Sequence, residues 1–190
     1  MANIEEIVEA IEFTPIIMAV KDWEGVEQCL EMESRVVFIL FGDICNISEI
    51  VKKLKCAGKI AIVHMDLIDG LGNKEVAVDF MKQLTDLDGI ISTRPSLIKR
   101  GKELGVFTIL RVFLLDSMVL ENIKKREIQV APDMIEVMPG IVPKVTKKIT
   151  DALSVPIICG GLICDKDDIM NALHAGAVAV SSTNTDVWSL

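Results

Sequence analysis

Tyrosine is absent from the 190 residues of this chain, and aromatic residues of every kind make up 4% of it. Proteins that hold single-stranded nucleic acid usually stack bases on aromatic faces, so this scarcity disfavours that mode of binding. Positive charge is also short: 20 Lys and Arg stand against 28 Asp and Glu, a net charge of −8. Phosphate neutralisation supplies most of the affinity for nucleic acid, which disfavours general binding and leaves open only a local basic patch. No apolar run approaches the ~18 residues of a membrane-spanning helix, and neither DNA nor a membrane is expected as a partner. Met1–Glu12 is acidic where a secretory leader would be basic and then apolar, so the expected location is the cytoplasm.

Other signatures are missing too. The five cysteines (Cys29, Cys45, Cys56, Cys159, Cys164) are odd in number and scattered. The spacing of Cys159 and Cys164 fits neither a redox CxxC pair nor a zinc knuckle, and the thiols read as small apolar residues in a reducing compartment. There is no Ser–His–Asp order, nucleophile elbow, Walker loop or dinucleotide GxGxxG. The expectation is a protein with no metal, no cofactor and no catalytic residues.

What the chain does have is 51% hydrophobic residues, arranged in short β-branched runs that alternate with amphipathic stretches. The strand candidates are Pro15–Val20, Arg35–Phe41, Lys59–Met65, Gly89–Ser92, Val106–Val112, Asp133–Met138, Val155–Gly160 and Ala177–Ser181. Each is apolar at nearly consecutive positions, as strands covered on both faces are. Helical stretches lie between them at Trp23–Glu31, Ser48–Ala57, Lys74–Leu87, Ser96–Leu104, Met118–Val130, Pro143–Leu153 and Lys166–His174. Asp22 and Ser48 are expected helix caps, Pro143 a first-turn residue, and Gly58, Gly101, Gly105 and Gly176 mark positions near or past helix ends. Eight βα units in a row predict an α/β fold, a compact (β/α)8 TIM-type barrel forming one domain over residues 1–190. Such barrels typically need ~250 residues; short loops and a truncated last helix account for the difference, since only Asn184–Leu190 follow the eighth strand. Ile4–Phe13 reads as an extra amphipathic helix that plugs the bottom.

In this fold ligands bind at the C-terminal strand ends, and polar residues concentrate there. Gly160-Gly161 after the seventh strand and Ser181-Ser182 after the eighth form the candidate phosphate site. Glycines let the backbone approach an anion, and hydroxyls beside a short helix add donors. His64 and Asp66, two apart on the third strand, point to one face. With Glu136 they suit hydroxyl binding or proton transfer; a metal is a weaker alternative. Ser92 closes the fourth strand. Lys21 and Arg111 are cations at the same mouth, placed to pair with a phosphate or to neutralise Asp66 or Glu136. Three basic clusters, Lys52–Lys53–Lys55, Arg94–Lys99–Arg100–Lys102 and Lys124–Lys125–Arg126, sit on helices or just before them, and the last two belong to neighbouring helices. Lys144, Lys147 and Lys148 read as a solvated helix face.

The strand-end motifs resemble a known family. His64-Met-Asp-Leu-Ile-Asp-Gly-Leu71, Asp88-Gly-Ile-Ile-Ser-Thr-Arg94, Arg111-Val-Phe-Leu-Leu-Asp-Ser117, Glu136-Val-Met-Pro-Gly140, Pro156-Ile-Ile-Cys-Gly-Gly-Leu-Ile163 and Ala179-Val-Ser-Ser-Thr-Asn-Thr-Asp-Val-Trp188 are similar to those of the bacterial glycerol uptake operon antiterminator regulatory proteins, in order and across nearly the whole chain. The resemblance implies a barrel that senses glycerol 3-phosphate as effector and, when loaded, acts on the leader mRNA of glycerol-utilisation genes to prevent premature termination. It implies no catalysis. Carried over, Gly160, Gly161, Ser181 and Ser182 match the phosphate-side motifs, while His64, Asp66, Ser92, Arg111 and Glu136 match the other strand ends. For the RNA surface the candidates are Arg94, Lys99, Arg100, Lys124, Lys125 and Arg126. Two other readings stand beside this one. One is an enzyme, an isomerase, aldolase or phosphodiesterase, acting on a small phosphorylated metabolite. The other is a metabolite sensor with a protein partner, the high apolar fraction then reflecting a homo-oligomer interface.

Overall fold

The structure, a computed structural model, describes residues 2–115, 121, 123 and 129–190. Eight parallel strands close into a barrel in chain order: β1 (Ile16–Val20), β2 (Val36–Ile39), β3 (Ile60–His64), β4 (Gly89–Ser92), β5 (Phe107–Phe113), β6 (Met134–Met138), β7 (Ile157–Gly160) and β8 (Ala179–Ser182). The ring is completed where Ile16–Met18 pair with Val180–Ser182.

Alternation along each strand divides the apolar residues into two clusters. Ile17, Phe38, Ile60, Ile62, Phe107, Ile109 and Ile158 fill the lumen. Met18, Val37, Val63, Leu110 and Val137 face outward against helix residues such as Val26, Leu54, Leu97 and Ile149. This double burial is why the strands read as continuous apolar runs. The N-terminal helix α1 (Ile4–Phe13) contributes Ile7, Ala10 and Ile11 to the lumen cluster, so it seals the bottom. Only the opposite end of the lumen is left for a ligand.

The outer helices are α2 (Trp23–Leu30), α3 (Ile47–Cys56), α4 (Val76–Leu84), α5 (Pro95–Glu103), α6 (Pro143–Thr150) and α7 (Lys166–His174). Asp22 caps α2, its carboxylate accepting from the Gly25 N–H at 2.8 Å. One punctuation expectation is corrected. Ser48 lies inside α3, whose N-cap is Asn46; the turn before it is held by Asp43, which accepts from the Cys45 and Asn46 N–H groups at 2.7 and 3.0 Å. Gly101 lies within α5, where a Cβ would stand 2.7 Å from Thr108 Cγ2 and 2.8 Å from Ile90 Cδ1. Its role is close approach of helix to sheet. Gly58, Gly105 and Gly176 do have the left-handed φ of helix ends.

The expected helix Met118–Val130 falls mostly outside the described residues. After β8 the last helix is reduced to a 3-10 segment, Thr185–Ser189, anchored by Trp188 Nε1 donating to the Ser182 carbonyl at 2.8 Å. Among the described residues no helix is long and apolar enough to cross a membrane.

Candidate ligand site at the barrel mouth

Where the apolar lumen ends, the same inward-facing positions turn polar: His64 on β3, Arg111 on β5, Glu136 on β6, Gly160 on β7 and Ser181 on β8. Arg111 and Glu136 are register partners, and Arg111 Nε donates to Glu136 Oε2 at 2.5 Å. The other carboxylate oxygen accepts from Ser181 Oγ at 2.6 Å. Glu136 is fully buried, and Arg111 is 7% exposed. One carboxylate thus ties β5, β6 and β8 together across β7. It can do so because Gly160 has no side chain: a Cβ there would lie 2.5 Å from Glu136 Oε1 and 2.6 Å from Ser181 Oγ. The glycine read as room for an anion is first of all room for this link.

Asp66 organises the facing side. It accepts from Ser92 Oγ at 3.0 Å, Thr93 N–H at 2.7 Å and Arg94 Nε at 3.0 Å, fixing the end of β4 against the turn after β3. His64 is 3% exposed, and its Nδ1 is buried without a hydrogen-bond partner, 3.9 Å from Asp66 Oδ2. That distance is too long for a hydrogen bond. Burial, then the neighbouring Arg111 charge, push the His64 pKa down to about 4 against the smaller upward pull of Asp66. The imidazole is neutral at physiological pH.

Above this floor, the turn after β7 takes left-handed φ at both Gly161 and Leu162 (+75° and +62°), and the Gly140 N–H donates to the Gly160 carbonyl at 2.6 Å. Ser182 Oγ donates to the Ile163 carbonyl at 2.8 Å and accepts from the Asn184 N–H at 3.1 Å. Both serine hydroxyls expected to reach an anion are therefore turned to protein acceptors, Ser181 to Glu136 and Ser182 to the Ile163 carbonyl. Lys21 lines a cleft of ≈ 450 Å³ with Asp22, Gln28, Thr183, Asn184 and Trp188, between the ends of β1 and β8.

Of the basic residues singled out for RNA that the structure describes, Arg94 and Arg100 are held by carboxylates. Arg94 is spent on Asp66 at the mouth, and Arg100 is clamped by Asp79 at 2.5 Å and Glu103 at 2.9 Å. Lys102 is engaged by Asp133. Lys99 is exposed, and Lys124, Lys125 and Arg126 lie outside the described residues. Thr93 and Gly140 belong to the strand-end motifs read from the sequence, which gave neither of them a role of its own; the only signal is that each sits just past a strand end. Among the described residues no group of three or more His, Cys, Asp or Glu is placed to hold a metal.

The model of the glycerol-3-phosphate responsive antiterminator family matches residues 16–188. The chain belongs to this family. It is 47% identical over 176 residues to the uncharacterized protein YgcP of Escherichia coli (strain K12), an alignment covering 93% of this chain and 92% of that protein. Among solved structures it is similar to the glycerol uptake operon antiterminator regulatory protein of Listeria monocytogenes (33% identity, TM-score 0.89, 92% of this chain and 95% of that one). A second is a glycerol uptake operon antiterminator-related protein of Thermotoga maritima (34% identity, TM-score 0.79, 91% and 96%). Likeness to the deoxyribose phosphate aldolase of Aeropyrum pernix, at 12% identity and TM-score 0.68, is one of fold. The family is regulatory and responds to glycerol 3-phosphate.

In this antiterminator-family barrel Gly160→Ala is expected to push the Glu136 carboxylate off Ser181. Overpacking of this kind costs about 1–3 kcal/mol, read by urea denaturation. A variant as stable as the parent would show that the carboxylate has slack the geometry does not suggest.

Proposed function

We propose that this chain is a cytoplasmic glycerol 3-phosphate sensor that, when loaded, binds a leader RNA and prevents premature transcription termination, without catalysing a reaction. The observation that carries the ligand half is the closed polar floor at the mouth. Glu136 is neutralised by Arg111, and Asp66 by Arg94. Lys21 stands beside the β8 loop in a cleft that Asp22 and Glu24 also line. The phosphate would then sit on the main-chain N–H groups after β7 and β8 and near Lys21. The glycerol end then rests over His64 and Glu136. A neutral imidazole with an open Nδ1 suits a hydroxyl, since both can act as donor or acceptor.

Sensing rather than turnover fits the state of these groups. A general base must be free to take a proton, yet Glu136 already accepts two hydrogen bonds, one of them from its ion-pair partner Arg111. Ligand binding would shift the population of mouth-loop conformations, and the RNA-competent surface with it.

The test is a titration of a glycerol-operon leader RNA with the protein, with and without glycerol 3-phosphate, at several salt concentrations. Ligand-dependent binding with a steep salt slope is expected, together with about 2.7 kcal/mol of stabilisation at a ligand concentration 100 times Kd. Ligand binding without RNA affinity would point to a protein partner, and steady product formation would make the chain an enzyme.

A further inference from the structure

We infer that the RNA-contacting surface is the outer face of α6, not that of α5, and that it is coupled to the ligand through the two strands that flank it. This rests on the function proposed above. The first observation is charge. Every other helix whose bounds are described carries at least one Asp or Glu, from Glu5 on α1 to Asp167 on α7; α6, with the sequence PKVTKKIT, has none. It is a block of three lysines in a chain of net charge −8. A polyanion approaching such a molecule meets mostly negative charge, so a local cluster in which lysines outnumber carboxylates governs where it can settle.

The second observation is how the lysines are held. Lys144, Lys147 and Lys148 are all exposed, and their i, i+3 and i+4 spacing sets Lys147 and Lys148 beside Lys144 within about 6 Å along the axis. Lys147 pairs with Asp151 just past the helix, with both side chains about 60% exposed (59% and 60%). A solvent-exposed pair of this kind is worth little and yields readily to a phosphate. On α5, by contrast, Arg100 sits in a two-carboxylate clamp and Lys102 on Asp133, so those cations would have to abandon fixed partners.

The third observation is position. α6 follows β6, which carries Glu136, and it packs on β7 where Thr146 Oγ1 meets Cys159 Sγ at 3.6 Å, next to Gly160. The loop leading into it is pinned to the β7 turn by the Gly140 N–H. A ligand that resettles the turn after Gly160 therefore moves the two supports of α6 together, a physical route from sensor to RNA face.

The experiment compares leader-RNA binding, at saturating glycerol 3-phosphate and several salt concentrations, for the full-length protein and for K144Q/K147Q/K148Q, K144R/K147R/K148R and K99Q/R100Q. The glutamine triple is expected to lose roughly tenfold or more in affinity and about 2 in salt slope, the arginine triple to stay within about threefold of the parent, and the α5 pair to change little. Glycerol 3-phosphate affinity, measured on the same proteins, should be unchanged, since all the altered side chains lie outside the mouth. If the parent binds RNA and the glutamine triple binds equally well with the same slope, the α6 assignment is overturned while the function stands. If α5 substitution is the damaging one, the assignment is likewise overturned. If the loaded parent has no RNA affinity, the function proposed above falls and this surface with it.

Discussion

Replacing Glu136 by alanine is expected to lower the unfolding free energy by about 3–5 kcal/mol and to abolish stabilisation by glycerol 3-phosphate. The carboxylate is fully buried and takes hydrogen bonds from Arg111 and Ser181. Its removal strands a guanidinium that is 7% exposed in a floor whose neighbours are Ile109, Ile158 and other lumen side chains. An uncompensated buried charge costs several times what the intact pair contributes, because desolvation has no offset left. The double variant Arg111→Met/Glu136→Leu separates the two consequences. With both charges gone it should regain most of the lost stability, short of about 1 kcal/mol for the orphaned Ser181 hydroxyl, and still show no response to the ligand. Urea denaturation of parent, single and double variants, each with and without glycerol 3-phosphate, reads both effects. A single variant that loses less than about 1 kcal/mol, the range of exposed pairs, would mean that water already reaches this pair and that the mouth has no closed floor.

The barrel was legible because lumen and helix layer both demand apolar residues, so each strand shows as a run rather than an alternation. The sealing of the bottom was legible in the stripe of Ile7, Ala10 and Ile11 on α1. Contacts between strand ends were not. Asp66 and Arg94 are 28 residues apart, and nothing local in the sequence distinguishes an arginine that will fold back onto a carboxylate from one that faces solvent. Arg94 and Arg100 therefore read as a free basic patch. Ser181 and Glu136, separated by 45 residues, meet only because Gly160 between them is bare. The glycine was conspicuous in the sequence, while the carboxylate that uses the space it leaves was not. Lys144, Lys147 and Lys148 read as an ordinary wet helix face because the quality that sets them apart is comparative: the acidic residues on every other described helix.

A midpoint near pH 4 for the His64 imidazole is expected in an NMR titration, and with it a stability profile that this one residue bends. In the unfolded chain the imidazole returns to its usual value of 6.5, so between pH 6.5 and about 4 the unfolded state carries a proton that the native state refuses. Stability rises with pH wherever the unfolded state binds more protons. The native protein therefore loses stability as pH falls through this window, by about 3 kcal/mol in all, after which the loss levels off. Carboxylates elsewhere also titrate on the way down, so the clean quantity is the difference between the parent and His64→Gln. Glutamine keeps a polar side chain at the site and takes up no proton. The stability advantage of the parent over the variant should shrink by about 3 kcal/mol between pH 7 and pH 4, measured by urea denaturation at each pH. The chain has two histidines, and His174 is exposed on α7, so the two imidazole signals can be assigned with the same variant. A His64 midpoint near 6.5 and a flat difference profile would place the ring in water. The mouth would then be open to solvent as far as β3, and an unpartnered nitrogen there would have nothing to reserve for a ligand hydroxyl.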